Sequence, residues 1–209
     1  LAVIFVSLMG FSILLYAILD GYDLGVGILL PLKQTDDADT LIASIGPFWD
    51  ANEVWLIAVG GVLFFAFPTL YASSFSGFYL PLIMVLWLLI FRAVGLELRG
   101  QVHHPMWESI WDKAFGIASL LLALFFGVAL GNVVRGVNLG MVENGVSTVE
   151  AHYFFLPLWN PEFSPTSENL GVIDWFTLLL GIISVVALFE NKMNLVLFRR
   201  IYPRKKPGI

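Results

Sequence analysis

The stretch GPFWDANEVWLIAVGG, residues 46–61, places Asp50, Asn52 and Glu53 directly before an apolar run that continues to residue 72. A membrane-spanning helix requires about 20 predominantly apolar residues, so the run is long enough to form one. Carboxylates at membrane depth cost about 2.5 to 3.5 kcal/mol each and seldom persist there without a role. The stretch therefore predicts a spanning helix whose first turns carry acids that need an explanation.

The composition extends this prediction to the whole chain. Of its 209 residues, 58% are hydrophobic and 13% are charged, and the mean hydropathy is +0.85, more than a globular core of this length could hide. The segments that qualify as spans, or nearly so, are 1–19, 54–72, 77–96, 114–134 and 172–189. We predict an all-α, polytopic transmembrane helix bundle with about five spanning helices.

The placement of basic residues predicts the orientation. If the helices alternate in direction, ten of the eleven Lys and Arg residues fall on one side and only Arg135 on the other. The positive-inside rule then puts the N-terminus outside and the C-terminus in the cytoplasm. We divide the chain into a transmembrane domain, residues 1–190, with a long extracytoplasmic loop at about 135–171, and a basic cytoplasmic tail, residues 191–209.

Several kinds of site are excluded or disfavoured. The chain has no cysteine, which excludes disulfides and thiolate metal sites. His103 and His104 follow the third span and His152 falls in the predicted loop, so no histidine lies mid-membrane to ligate a haem. The Gly-rich stretches lack a phosphate-binding motif. We expect this chain alone to bind no metal, no haem and no nucleic acid.

The first helix is predicted to be overlong, because residues 20–30 remain apolar and the first proline is Pro31. A helix over residues 1–30 would reach about 45 Å at 1.5 Å per residue, whereas the hydrocarbon core is about 30 Å thick. Asp20 and Asp23 would share one face toward its cytoplasmic end. Paired carboxylates in a poorly solvated site can exchange protons near neutrality, and we favour this role over simple contact with the interface.

Asp50 and Glu53 repeat the same spacing in the second helix. Asn52 and Trp49 lie beside them, and Trp55 follows one turn later. Two interpretations stay open. Acids in a first helical turn are stabilised by the helix dipole, and Trp is typical of the membrane interface; alternatively, the group takes up protons or cations.

Two glycine pairs predict helix packing. Gly21 with Gly25 in the first helix, and Gly127 with Gly131 in the fourth, have the four-residue spacing that lets another helix approach closely. Such pairs are common in membrane helices. They predict packing faces without identifying the helix that packs there.

Arg92 follows the apolar core of the third helix in the stretch FRAVGLELRG. Long basic side chains near the end of a span can bury their methylenes and extend the charge to the headgroups. We predict that Arg92 does so.

The motifs LDGYDLGVGIL, GPFWDANEVWLIAVGG, FPTLYASSFSGFYLPLIMVL, FRAVGLELR and GNVVRGV follow one another along the chain, within a stretch from Asp20 to about Phe189. Together they resemble subunit II of the cytochrome bd-type quinol oxidases, in the family's order. The resemblance is specific because several unusual motifs agree at once. Family members typically have eight helices, so about three helices are expected to be absent from this chain.

The resemblance implies the haem-free subunit of a heterodimeric respiratory oxidase in the bacterial or archaeal plasma (inner) membrane. Such an enzyme oxidises membrane quinol, reduces oxygen to water and takes protons from the cytoplasm. Haem b, haem d and quinol oxidation would belong to the partner, subunit I. A small accessory subunit is a further candidate partner, and a structural quinone is associated with this subunit in some members.

The resemblance also implies residue roles. Asp50, assisted by Asn52 and Glu53, would stand at the position of a proton-channel carboxylate. Trp55 would lie near an oxygen access path, and Asp20 or Asp23 on a second acidic path.

Two alternatives remain at this stage. One is an ion-coupled secondary transporter whose intramembrane carboxylates bind a proton or sodium ion. It predicts a discontinuous helix, and residues 21–27 of the first helix are a candidate place for the break. The other is a purely structural assembly subunit.

Overall fold

The computed structural model describes residues 1–32, 35–136, 142–143, 146–147 and 172–201. Almost all of them are helical, which confirms the predicted all-α bundle. The helices are α1 (Ala2–Leu29), α2 (Thr35–Ile45), α3 (Trp49–Ala66), α4 (Pro68–Gly77), α5 (Tyr79–Arg99), α6 (Pro105–Arg135) and α7 (Trp175–Ile201). A 3-10 turn, Leu30–Leu32, follows α1. Two short strands, β1 (Val142–Glu143) and β2 (Val146–Ser147), pair antiparallel.

By length and composition, four of the described helices can cross a membrane: α1 with its 3-10 turn, α3, α5 and α6. The fifth predicted span forms the first part of α7, where the apolar segment Trp175–Glu190 is shorter. The backbone of α7 stays helical to Ile201, so the division of the chain at residue 190 stays a prediction. Most of the predicted loop, and the tail beyond residue 201, lie outside the described residues.

The predicted span 54–72 is wrong in one respect, because it is not one helix. α3 ends at Ala66, Phe67 leaves the helical region with φ −136° and ψ 61°, and α4 begins at Pro68. A proline inside a helix has no N–H to donate and its ring clashes with the carbonyl four residues earlier. Proline is well suited to the first position of a new helix, and it therefore divides an apolar run that hydropathy alone joins.

The first helix is as long as predicted. α1 runs without interruption from Ala2 to Leu29 and ends just before Pro31. The break that the transporter alternative considered at residues 21–27 is not present, because the backbone there is continuous helix. The glycines in this part of α1 serve close packing instead.

Helix α6 is the central element of the bundle, since it packs on α1, α5 and α7. Its buried side chains include Phe115, Leu122 and Val128. Near the start of α6, Phe115 joins a small core formed with residues from α1, the 3-10 turn and α2: Val26, Leu30, Ala38 and Ile45. The short helix α2 is thereby fixed across one end of the bundle.

Glycines allow the closest of these helix contacts. A Cβ atom built on Gly127 would lie 2.6 Å from the Cα atom of Gly181 in α7, and one on Gly131 would lie 3.0 Å from the Cα atom of Thr177. Gly21 faces α7 at 3.3 Å from Leu188, and Gly25 is buried within α1. Both predicted glycine pairs therefore lie on buried or closely packed faces.

We predict that Gly127→Ala destabilises the protein by about 1 to 3 kcal/mol, the usual effect of overpacking, because the new methyl group would meet the α7 backbone. Gly10→Ala is the matched control, since a Cβ atom there has no neighbour within 4 Å. Both changes raise helix propensity alike. Thermal unfolding of the detergent-solubilised protein measures the difference, and equal midpoints for the two variants would contradict the predicted close contact.

Candidate functional site

Arg92 lies at the centre of a buried charge cluster. Its Nη2 atom donates a hydrogen bond to Asp20 Oδ1 at 2.5 Å and lies 3.7 Å from Asp23 Oδ2, while its Nη1 atom lies 3.4 Å from Glu53 Oε1. Arg92 and Asp20 are each 0% exposed. The prediction that Arg92 extends to the headgroups is therefore wrong.

The physical reason is the position of Arg92 along α5. It lies seven residues before Arg99, where the helix ends, which corresponds to about 10 Å at 1.5 Å per residue. Carboxylates on two neighbouring helices are closer than the headgroups. A buried guanidinium that finds such partners retains its charge in the interior.

Two antiparallel helices bring the acids together. Asp20 and Asp23 share one face of α1, and α3 packs beside that face. The consecutive residues Asn52 and Glu53 both reach the cluster: Asn52 Nδ2 donates to Asp23 Oδ2 at 2.8 Å, and Glu53 faces Arg92. The Glu53 side chain is 21% exposed, so the cluster is accessible at its α3 side.

Tyr16 completes the cluster on α1, one turn before Asp20. The residue is 7% exposed, and its ring packs edge-on against Phe126 of α6, with ring centroids 5.5 Å apart. Its hydroxyl group lies beside the Asp20 carboxylate and interacts with it. Tyr16 therefore places a neutral polar group beside the charges.

The cluster has a formal excess of negative charge. Among the described residues, the carboxylates of Asp20, Asp23 and Glu53 lie within 4 Å of one guanidinium, that of Arg92. When all are ionised, −3 and +1 sum to a net charge of −2. Uncompensated charge in a low-dielectric interior is costly, so this arrangement favours the uptake of positive charge.

Other predicted site residues lie outside this cluster. Asp50 is exposed in the first turn of α3, where its charge is favourable to the helix dipole. Trp49 and Trp55 are half-buried, and Trp55 packs edge-on against Phe11 with ring centroids 6.3 Å apart. The structure thus brings together Asp20, Asp23, Asn52 and Glu53, and leaves Asp50 and the two tryptophans at the periphery.

A second ionic contact joins three helices at the end of the bundle that holds α2. Arg99 Nε donates to Asp112 Oδ1 of α6 at 2.5 Å, and Arg99 Nη1 lies 2.8 Å from Asp39 Oδ1 of α2. The Asp39 side chain is 61% exposed, so its contribution to stability is small. The contact holds α2 near the cluster.

A third polar contact joins α6 to the start of α7 at the opposite end. Arg135 forms an ion pair with the fully buried Asp174, and its Nη2 atom donates to Asn132 Oδ1 at 2.9 Å. The Thr177 backbone N–H donates to Asp174 Oδ1 at 2.8 Å. Because these groups satisfy one another, the contact is structural.

Sequence reasoning missed Arg92 and Tyr16 as members of the site. The signal for Arg92 was present, since an ionisable residue inside a span faces the bundle interior by default and marks a partner. Tyr16 had no such signal, because an aromatic residue in an apolar helix is ordinarily part of the packing. Its position one turn before Asp20 was the only indication.

The two described histidines lie at one end of the bundle. His103 and His104 lie in the exposed link between α5 and α6. The Nδ1 atom of His104 accepts a hydrogen bond from the Met106 backbone N–H at 3.3 Å and caps α6. Within the described part of the chain, no group of three or more His, Asp or Glu residues is arranged to hold a metal ion.

The fold and the cluster define a multi-pass membrane protein with buried carboxylates held by an arginine. Residues 1–190 match the profile of the cytochrome bd terminal oxidase subunit II family, and the chain belongs to that family. This confirms the resemblance inferred from the motifs.

Individual relatives agree with this assignment. The chain is 38% identical over 193 residues to a probable cytochrome oxidase subunit 2 of Haemophilus influenzae, which covers 91% of this chain and 46% of the relative. It is 38% identical over 180 residues to the cytochrome bd-I ubiquinol oxidase subunit 2 of Escherichia coli K12, and this match covers 85% of this chain and 43% of the relative. It is 42% identical over 120 residues to the cytochrome bd ubiquinol oxidase subunit 2 of Bacillus subtilis, and this match covers 56% of this chain and 36% of the relative. The chain spans less than half the length of these relatives.

We predict that Arg92→Met destabilises the protein by about 3 to 5 kcal/mol, because removing one partner of a buried ion pair leaves the other uncompensated. Combining it with Asp20→Asn should recover part of this loss. Arg99→Met serves as a comparison and should cost less, since Asp39 is largely exposed. Thermal unfolding of the detergent-solubilised protein gives the order of stabilities. A double variant no more stable than Arg92→Met would contradict the buried ion pair between Arg92 and Asp20.

Proposed function

We propose that this chain is the haem-free subunit of a bd-type quinol oxidase, and that it conducts cytoplasmic protons and supports assembly with the haem-bearing subunit I. Membership of the family supports the oxidase assignment. The catalytic haems b and d, and quinol oxidation, belong in this proposal to the partner. The overall reaction oxidises membrane quinol and reduces oxygen to water.

The buried cluster is the observation that carries proton conduction. It holds two formal negative charges in excess of its one positive charge, and its two innermost carboxylates, Asp20 and Asp23, are 0% and 1% exposed. A proton is the smallest positive charge that relieves this excess. Carboxylates in such surroundings are the groups that proton-conducting membrane proteins use.

The exposure of the acids gives the path a direction. Asp50 is exposed at the start of α3, Glu53 lies one turn further with a 21% exposed side chain, and Asp20 is fully buried. In the proposal, Asp50 collects the proton from the cytoplasm and Glu53 transfers it to the interior. Arg92 lies within 4 Å of Asp20, Asp23 and Glu53, and its charge stabilises whichever of these carboxylates is ionised.

Asn52 acts as a supporting group in this path. Its side-chain N–H donates to Asp23, which holds that carboxylate within the cluster. The oxygen access path near Trp55, the structural quinone and a small accessory subunit stay predictions that come from the resemblance.

We predict that Glu53→Gln slows quinol-driven oxygen consumption of the purified complex by at least about tenfold, because the loss of a proton-transferring group usually costs a hundredfold or more when that step limits turnover. Asp50→Asn should also slow oxygen consumption, but by a smaller factor, because water can replace an exposed acid. Glu97→Gln is the matched control, since Glu97 is an exposed acid of α5 and should leave turnover unchanged.

The reduced-minus-oxidised absorbance spectrum distinguishes the outcomes. A complex purified through a tag on this chain should show the haem b and haem d bands in all three variants. Slow turnover with normal haem content supports conduction. Equal losses of turnover and haem content would instead support a purely structural assembly subunit. Normal turnover after neutralisation of Asp20, Asp23, Asp50 and Glu53 together would do the same.

A further inference from the structure

The short helix α2 is joined to the start of α3 by a hydrogen-bonded turn. Only residues 46–48 separate the two helices. The backbone N–H of Gly46 donates to Ile42 O at 2.9 Å. The backbone N–H of Phe48 donates to Ile45 O, also at 2.9 Å. The position of α2 therefore determines where the first turn of α3 begins.

The first turns of α3 hold the outer part of the charge cluster. Asp50 is exposed there. Asn52 donates to Asp23 at 2.8 Å, and Glu53 Oε1 lies 3.4 Å from Arg92 Nη1. A shift of α2 would therefore move these groups of α3 relative to the buried acids of α1.

Helix α2 depends on other helices for its position. It has 11 residues, and isolated helices shorter than about 12 to 15 residues are marginal in water. Two of its apolar side chains, Ala38 and Ile45, are each 1% exposed and belong to the same small core as Phe115. Hydrophobic contacts are non-directional, so a directional contact is needed to fix how α2 lies on the bundle.

Arg99 supplies that directional contact. Its Nε atom donates to Asp112 Oδ1 of α6 at 2.5 Å, and its Nη1 atom lies 2.8 Å from Asp39 Oδ1 of α2. The Arg99 side chain is 10% exposed, and a guanidinium presents its donors in a rigid planar fork. Asp112 therefore orients the guanidinium, which in turn holds Asp39.

Arg99 lies on the same face of α5 as Arg92. The two arginines are seven residues apart, which is about two helical turns, so their side chains leave α5 in nearly the same direction. Arg92 pairs with acids of α1 and α3, and Arg99 pairs with α2. One helix thus sets the entrance of the proposed path against its interior.

Stability does not account for the contact between Arg99 and Asp39. The Asp39 side chain is 61% exposed, and ion pairs with such exposure contribute little to the free energy of unfolding. The contact still joins α2 to α5 at one defined place. Its effect is therefore on the position of α2 more than on the stability of the protein.

We propose that Arg99 and Asp39 are positioning residues, which hold α2 and the first turn of α3 so that Asp50 and Glu53 stay aligned with the buried acids. Neither residue transfers a proton, and both act through Glu53. The positional link is a property of the fold, whereas its effect on turnover rests on the proposed function.

Hydrogen–deuterium exchange of the complete oxidase complex, read by mass spectrometry, tests the positional link. In Asp39→Asn we expect the backbone amides of residues 38–53 to exchange several-fold faster than in the wild type, while those of α6 do not change. Glu97→Gln is the matched control, because it removes an exposed acid of α5 and leaves Arg99 with both partners. Unchanged exchange over residues 38–53 in Asp39→Asn would overturn the proposal.

Quinol-driven oxygen consumption of the same complex tests the effect on turnover. We expect Asp39→Asn to slow it about threefold to tenfold, less than the hundredfold that a misplacement of about 1 Å can cost, because the apolar contacts of α2 remain. Turnover in heavy water should fall further below that in ordinary water than it does for the wild type, since proton transfer limits the reaction more. Haem content should be normal, and Glu97→Gln should show neither effect.

A double variant shows whether Asp39 acts through Glu53. If it does, Asp39→Asn combined with Glu53→Gln should be no slower than Glu53→Gln alone, because residues that act as a unit have non-additive effects on rate. Losses that multiply in the double variant would overturn the proposal. Arg99→Met should behave as Asp39→Asn does, and Asp39→Asn decides if Arg99→Met fails to assemble.

The outcome is separable from that of the proposed function. Faster exchange in Asp39→Asn, with unchanged turnover in both Asp39→Asn and Glu53→Gln, supports the positional link and removes proton conduction through Glu53. Slow turnover in Glu53→Gln with unchanged exchange in Asp39→Asn does the reverse. If Glu53→Gln is slow and Asp39→Asn exchanges faster but turns over normally, the positioning role is overturned.

Discussion

The ion pair between Arg92 and Asp20 ties α5 to the inner helices of the bundle. Arg92 belongs to α5, which packs mainly on α6, whereas its carboxylate partners belong to α1 and α3. Inside a membrane, apolar side chains gain little by leaving lipid for protein, so hydrophobicity alone does not position one helix against another. A buried guanidinium is tolerable only beside its acids, and α5 must therefore remain within reach of α1 and α3.

Close packing and two further arginines complete this arrangement. Helix α6 meets α7 through Gly127, where the backbones approach too closely for a side chain. Arg99 joins α5 to α2 and α6 at one end, and Arg135 joins α6 to Asp174 before α7 at the other. The three arginines differ in burial and in the excess of acid around them. Among the described residues, Arg92 faces two buried carboxylates and the partly exposed Glu53, more than one guanidinium can neutralise, which is why the functional proposal rests on its cluster.

The imbalance of charge is the basis of the functional proposal. Excess negative charge attracts a proton, and the excess follows from placing one arginine among Asp20, Asp23 and Glu53. In that proposal, the graded exposure of the acids gives the path its direction, from the partly exposed Glu53 to the fully buried Asp20. A purely structural cluster needs no such gradient.

The sequence by itself determined the fold class, most of the spans, the length of α1 and the family, because hydropathy, helical period and motif order are local properties of the chain. It joined α3 and α4 into one span, because the break before Pro68 lies within a continuous apolar run. It also singled out Asp20, Asp23, Asn52 and Glu53, since polar residues in apolar runs are conspicuous. It gave the wrong surroundings for Arg92 and no role to Tyr16. The partners of these two residues lie on other helices or depend on how those helices pack, so only the tertiary structure decided that the acids and the arginine share one buried site.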